Sequence, residues 1–160
     1  VPQRRRRSRL MSAEQAPPER FKSLMAFDFG PQRIGIAIGQ RITGSASPLN
    51  PIKARDGVPD WDLLQRVVDE WQPDAFVVGL PLNMDGSASD MSRRANKFAK
   101  RLEGRYHRPA YTHDERLTSY EAKGIVIEQG GSRDFGANSV DGLAAQLILE
   151  SWMAAWPLAQ

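Results

Sequence analysis

Three carboxylates far apart in this chain, Asp28, Glu115 and Asp141, fall at positions from which folding could gather them into one acidic cluster. Such a cluster is a natural element of a metal or phosphate site, because hard cations take oxygen ligands. Asp28 closes the apolar run Leu24-Met25-Ala26-Phe27. Phe29 and Gly30 follow, and then a second run, Arg33-Ile34-Gly35-Ile36-Ala37-Ile38-Gly39. Strand-forming residues hold an acid of this kind at a sheet end, and the glycines let a ligand or a tight hairpin come close to the backbone. The competing reading is a plain turn, since Asp-Phe-Gly-Pro has ordinary turn composition.

Asp141 shares a flank with Ala144, Ala145 and Ile148 at helical offsets, beside a core stripe of Val140, Leu143, Ala144, Leu147, Ile148 and Trp152. A carboxylate in a first helical turn also stabilises the helix by about 0.3–1 kcal/mol with no further role. In Thr112-His113-Asp114-Glu115-Arg116-Leu117-Thr118-Ser119, two acids and an arginine stand where a strand gives way to a helix. One acid can cap that helix while the other faces a metal, so Asp114 is the rival of Glu115. Arg116 offers the planar donor set that suits a phosphate. His113 reads as a packed, hydrogen-bonded strand-end residue outside any mechanism.

The elements that must position these residues alternate along the chain. After the opening pair of strands, Arg41 to Leu49 reads as a third antiparallel strand that closes at Pro48 and Pro51. Helical spacing of Trp61, Leu64, Val67, Val68 and Trp71 predicts a helix from Asp60 to Trp71. Asp74 to Gly79 is a nearly continuous apolar run, as in a buried parallel strand. Residues 80–89 read as a loop, 90–105 as a helix, 109–114 as a strand, 118–129 as a helix and 138–156 as a last helix. Strands that alternate with helices in this way indicate an α/β layered sheet.

The second of those helices is strongly basic. Over residues 93–108, Arg93, Arg94, Lys97, Lys100, Arg101, Arg105 and Arg108 stand against one acid, Glu103. Concentrated positive charge is what phosphate contacts need, so this is the candidate nucleic-acid face; a solvated helix surface is the alternative. The chain as a whole carries a formal net charge of +3, but seven basic side chains lie in residues 1–24 against Glu14 and Glu19, which leaves the body slightly acidic. Residues 1–22 are therefore expected to form a disordered basic tail and residues 23–157 a single folded domain. The chain contains no cysteine, which excludes a disulfide framework, thiolate metal sites and cysteine nucleophiles. No apolar run is long enough for a membrane span, so a soluble, cytoplasmic protein is expected.

Four segments in order, Asp28-Phe29-Gly30-Pro31-Gln32-Arg33-Ile34-Gly35-Ile36-Ala37, Val77-Val78-Gly79-Leu80-Pro81-Leu82-Asn83-Met84-Asp85-Gly86-Ser87, Asp114-Glu115-Arg116-Leu117-Thr118-Ser119 and Asp141-Gly142-Leu143-Ala144-Ala145, resemble the motifs of the YqgF/RuvX family. These are small bacterial proteins described as pre-16S ribosomal RNA nucleases and as Holliday-junction-resolvase-like proteins. The resemblance runs from about Met25 to Trp152. It implies the ribonuclease H-like fold, a five-stranded mixed sheet of order 3-2-1-4-5 with helices on both faces. It also implies that Asp28, Glu115 and Asp141 are catalytic and bind Mg2+ or Mn2+. Arg33, Arg93, Lys97, Lys100, Arg101 and Arg116 are the nucleic-acid-binding candidates. The expected activity is metal-dependent phosphodiester hydrolysis in 5′-end processing of pre-16S rRNA, with junction-type DNA cleavage or a non-catalytic nucleic-acid- or ribosome-binding role as the alternatives. The expected partners are structured RNA such as pre-16S rRNA, ribosome precursors or branched DNA, with the protein a monomer or homodimer. In junction resolvases of this fold a catalytic Glu closes the fourth strand, whereas Gly79 stands there in this chain.

Overall fold

The computed structural model describes residues 16–118 and 136–159, with side chains for all of these except 136–141. Strands β1 (Ser23–Asp28) and β2 (Arg33–Gln40) pair as an antiparallel hairpin, with Asp28 opposite Gly35. Gly30 makes the turn possible: a Cβ there would stand 2.6 Å from the backbone oxygen of Arg33. Of the two uses open to this glycine, the hairpin accounts for it.

Strand β3 (Ser45–Arg55) returns along β2 and runs through both prolines, where a strand from Arg41 to Leu49 was expected. Residues 41–44 form a turn instead. Pro48 lies where β3 is a sheet edge, and Pro51 falls at the register shift between Ile34 and Ile36, two settings that tolerate a residue without an N–H. Asp56 and Gly57, with φ of 49° and 84°, then form a two-residue turn into β4 (Val58–Pro59). Asp-Gly is the preferred sequence for such a hairpin turn, since both residues need positive φ.

The sheet therefore has six strands, in the order β4-β3-β2-β1-β5-β6, and not the expected five. The five expected strands keep their expected order, and the short β4 is added at the edge of β3. Helix α1 (Trp61–Trp71) begins where Asp60 accepts from the backbone N–H groups of Asp62 and Leu63 at 3.1 and 3.2 Å. Strand β5 (Ala75–Leu80) lies parallel to β1, and α2 (Asp90–Tyr106) opens on a reciprocal Ser89–Ser92 capping box. Strand β6 (Ala110–Asp114) lies parallel to β5 and passes into a 3-10 turn, Glu115–Leu117. Helix α3 (Gly136–Ala155) completes the order. Beyond Thr118, which ends the 3-10 turn, the helix expected over 118–129 lies outside the described residues.

Alternation along β1 divides the core into two layers. Met25, Phe27 and Phe29 pack with Phe76, Val78 and Phe98 beneath α1 and α2, while Leu24, Ala26, Ala75 and Val77 meet Ile148, Leu149, Trp152 and Met153 of α3. Phe98 of α2 stands edge-on to Phe27, with 5.4 Å between ring centroids. On α3 the buried side chains include Ala145, Ile148, Leu149, Trp152 and Met153, while Leu143, Ala144 and Leu147 of the expected stripe are half-buried. This helix is apolar on most sides, so spacing by itself does not select its inner face.

The folded body also takes in residues before Ser23. Pro17 is buried and Phe21 packs on the α3-side core. Arg41, 5% exposed, donates through one terminal nitrogen to the carbonyls of Pro18 (3.0 Å) and Phe21 (3.1 Å) and through the other to that of Trp156 (2.6 Å). The buried cation thus ties the entry segment to the end of α3, where helix carbonyls favour positive charge.

Candidate active site at the carboxyl edge of the sheet

Strands β1, β5 and β6 are parallel and end together at Asp28, Leu80 and Asp114. In open α/β sheets the crevice outside the carboxyl ends of the strands is where ligands bind. Phe27 is in register with Val78, and Gly79 with His113, so the next step along β1 sets Asp28 beside Gly79 at a strand spacing of about 4.8 Å. By the same alternation Asp28 and Gly79 belong to the α3 side of the sheet.

A Cβ built on Gly79 would meet Ile148 Cδ1 at 2.6 Å, Glu115 Oε2 at 2.9 Å and Glu115 Cγ at 3.1 Å. The carboxylate of Glu115 therefore reaches back from the 3-10 turn over the bare backbone of β5, next to Asp28. Both acids also make contacts of their own within the fold. On α3, position 141 lies four, seven and eleven residues before the buried Ala145, Ile148 and Trp152. At the next residue, a Cβ on Gly142 would stand 2.7 Å from Pro48 Cβ and 3.3 Å from Leu49 O. Leu49 is in register with Ile36, and Ile36 with Phe27, so Gly142 of α3 lies at the level of the residue before Asp28, two strands away. Among the described residues no three His, Cys, Asp or Glu side chains form a metal-holding group; the Asp141 side chain lies outside them.

Asp114 does different work. It accepts two hydrogen bonds from Arg116 Nε at 3.1 Å, one from the terminal nitrogen at 2.7 Å, and the Arg116 backbone N–H at 2.9 Å. These bonds hold its carboxyl below the usual carboxylate range. The other terminal nitrogen of Arg116 donates to Met84 O at 3.1 Å, and a Cβ on Gly86 would lie 3.3 Å from both terminal nitrogens. Arg116 is thus a strut between β6 and the turn at 83–87. That turn is braced internally: Gly86 N–H donates to Asn83 O at 2.8 Å, and Asp85 accepts from the N–H and hydroxyl of Ser87 at 2.9 and 2.6 Å. The Ser87 bonds also depress the Asp85 pKa. Sequence reasoning passed over this turn as plain loop, although Asn83 and Asp85-Gly86 carry the signal for it.

His113 is buried, with Nε2 2.8 Å from the hydroxyl of Ser151, and burial pushes its pKa below the ordinary value. This agrees with its reading as a packed residue. The basic residues of α2 separate into groups. Arg93 pairs with Asp90 at 3.3 Å and Arg94 with Asp56 at 2.9 Å, while the Arg105 guanidinium sits 4.3 Å over the Trp61 ring. Lys97 and Arg101 face the β3–β4 hairpin, whereas Lys100 lies on the opposite flank beside Glu103 and Thr112. Arg33 opens β2 opposite Lys53.

The sequence model of a family described as RuvX, Holliday junction resolvase, matches residues 22–155. The chain belongs to the RuvX family. A relative from Pseudomonas paraeruginosa, named "Putative pre-16S rRNA nuclease", is 53% identical over 137 residues, which is 86% of this chain and 95% of its own. One of the same name from Azotobacter vinelandii is 54% identical over 134 residues, 84% of this chain and 94% of its own. Among solved structures, the yeast mitochondrial Holliday junction resolvase Ydc2 superposes with a TM-score of 0.54 at 13% identity, over 91% of this chain and 83% of that one. At that identity the likeness speaks for the fold: the RuvX chain shares the α/β architecture of junction resolvases.

Proposed function

We propose that this RuvX-family chain is a metal-dependent nuclease that hydrolyses phosphodiester bonds in structured RNA, with Asp28, Glu115 and Asp141 as the catalytic acids. The observation that carries the reading is the Glu115 carboxylate lying over Gly79, in register beside Asp28. The donors suit a hard cation: they are carboxylate oxygens, the chain has no cysteine, and the absence of a side chain at Gly79 leaves room for the acid from the next strand. When bound, Mg2+ or Mn2+ supplies Lewis-acid stabilisation of the phosphate and a more acidic water. The carboxylates hold the charge of that ion, and Arg116 braces the rim of the site through Asp114 and Met84.

The RNA substrate rests on relatives more than half identical over nearly their whole length whose name specifies pre-16S rRNA. Trimming of that precursor belongs to ribosome assembly in the bacterial cytoplasm. A second reading, cleavage of branched DNA, is favoured by the family description and the shared resolvase fold. It requires a symmetric pair of active sites and hence a homodimer.

The test is cleavage of a precursor RNA fragment and of a four-way DNA junction by the same preparation, with Mg2+ and Mn2+ titrated. Asp28→Asn, Glu115→Gln and Asp141→Asn keep side-chain shape while removing charge, so each abolishes turnover with the fold retained. Undiminished cleavage by any of these variants, once shown to be folded, removes that acid from the site. Preference for the junction over the RNA replaces the first reading with the second.

A further inference from the structure

On the opposite side of the sheet edge from Glu115, the β3–β4 hairpin and α2 enclose an open cavity of about 350 Å³. Arg94, Lys97 and Arg101 line it at helical offsets of three and seven, so they share one face of α2, and Phe29 and Phe98 form its apolar floor. Arg94 is fixed in place. Its terminal nitrogen donates to the backbone and side-chain oxygens of Asp56, both at 2.9 Å, and its guanidinium lies 6.0 Å from the centre of the Phe29 ring. Lys97 and Arg101 form no ion pair with any described residue, so like charges at i and i+4 face a shared space with Asp56 as the acid at its rim.

The wall of this cavity is tied to the turn that follows Asp28. Gly57 N–H donates to Pro31 O at 2.7 Å and Ala54 N–H to Gln32 O at 2.9 Å, while Phe29 itself directly follows Asp28. At Gly57, φ is +84° and a Cβ would come within 2.9 Å of both Arg94 and Phe29, so the hairpin tip closes onto the guanidinium as tightly as a glycine permits. A concave site of this size with convergent cations and an apolar floor is suited to a phosphate carried on a nucleotide.

We propose that this cavity is a phosphate pocket in which Arg94, Lys97 and Arg101 hold a phosphate of the nucleic-acid strand adjacent to the one at the acidic site. A strand crossing the carboxyl edge of the sheet would present one phosphate to Asp28 and Glu115 on the α3 side and a neighbouring one to this pocket on the α2 side. The proposal rests on the nucleic-acid reading above but not on catalysis. It separates Lys97 and Arg101 from Lys100, which points to the other flank of α2.

The experiment measures binding of a short fluorescein-labelled single-stranded RNA by anisotropy across a salt series, in EDTA and on an Asp28→Asn background, so that cleavage plays no part. Lys97→Ala combined with Arg101→Ala lowers the slope of log affinity against log salt by roughly 1.4, at about 0.7 for each phosphate charge that is no longer neutralised. Lys100→Ala leaves the slope unchanged, and melting temperatures show that both variants are folded. An unchanged slope for the double variant, or an equal loss from Lys100→Ala, overturns the pocket. RNAs with 5′-phosphate and 5′-hydroxyl ends identify the source: equal losses assign an internal phosphodiester, and a loss confined to the phosphorylated RNA assigns a terminal phosphate. Failure of the acid variants to affect cleavage would remove the catalytic reading and leave this binding result standing.

Discussion

The carboxylate of Glu115 lies over the backbone of Gly79, so close that a methyl group on Gly79 would stand 2.9 Å from Glu115 Oε2 and 2.6 Å from Ile148 Cδ1. Gly79→Ala therefore displaces the acid and overpacks α3, at an expected cost of about 1–3 kcal/mol in stability. Adding Ile148→Val removes the colliding Cδ1 and restores the melting temperature. Cleavage stays low in the double variant, because the alanine still pushes Glu115 away. Full recovery of cleavage together with stability would show that the placement of Glu115 over Gly79 is immaterial to the reaction.

Asp114 is bonded to Arg116, so its substitution is expected to affect the proposed site indirectly. Asp114→Asn weakens the hold on Arg116 and hence on the turn at 83–87, lowering kcat while metal affinity is retained; a misplacement of about 1 Å can cost on the order of 10²-fold. Glu115→Gln lowers metal affinity as well. Metal titrations of the two variants by calorimetry distinguish them, and equal loss of affinity in both would make Asp114 a ligand.

A chain beginning at Ser23 lacks Pro17 and Phe21 and leaves one terminal nitrogen of the buried Arg41 without its two carbonyl partners. An unsatisfied buried donor costs about 1–3 kcal/mol, so this chain melts at lower temperature than one beginning at Ala16. Coincident melting curves would mean that the segment 16–22 contributes nothing to the fold.

Burial holds the His113 pKa below the ordinary histidine value of about 6.5. Between the lowered folded value and 6.5 the unfolded chain binds the extra proton, so stability is full above pH 6.5 and declines as the pH falls through that window. His113→Gln removes this component. Denaturant melts between about pH 8 and pH 5 read it as a flatter pH dependence in the variant, and identical profiles would contradict it. Asp114, with a depressed pKa, loses its contribution only below the ordinary carboxylate range, outside this window.

Much of the fold was legible in local patterns because the forces behind them act within a few residues. Alternation in β1 sent Asp28 to the α3 face, the helical spacing of Trp61, Leu64, Val67, Val68 and Trp71 marked α1, and the order of four short motifs identified the family and with it the strand order. The sixth strand was also local, written in Asp56-Gly57, but the third strand was expected to close at Pro48 and Pro51, short of that turn. Tertiary structure alone set which of the two neighbouring acids reaches over Gly79, since that depends on a space that α3 and β6 create together, and it is Glu115. It likewise divided the basic helix, because which cations face the hairpin is fixed by how α2 sits on the sheet and not by their number. Arg41 shows the same limit most plainly: nothing around it in sequence announces a buried charge, and its three carbonyl partners come from both ends of the folded body.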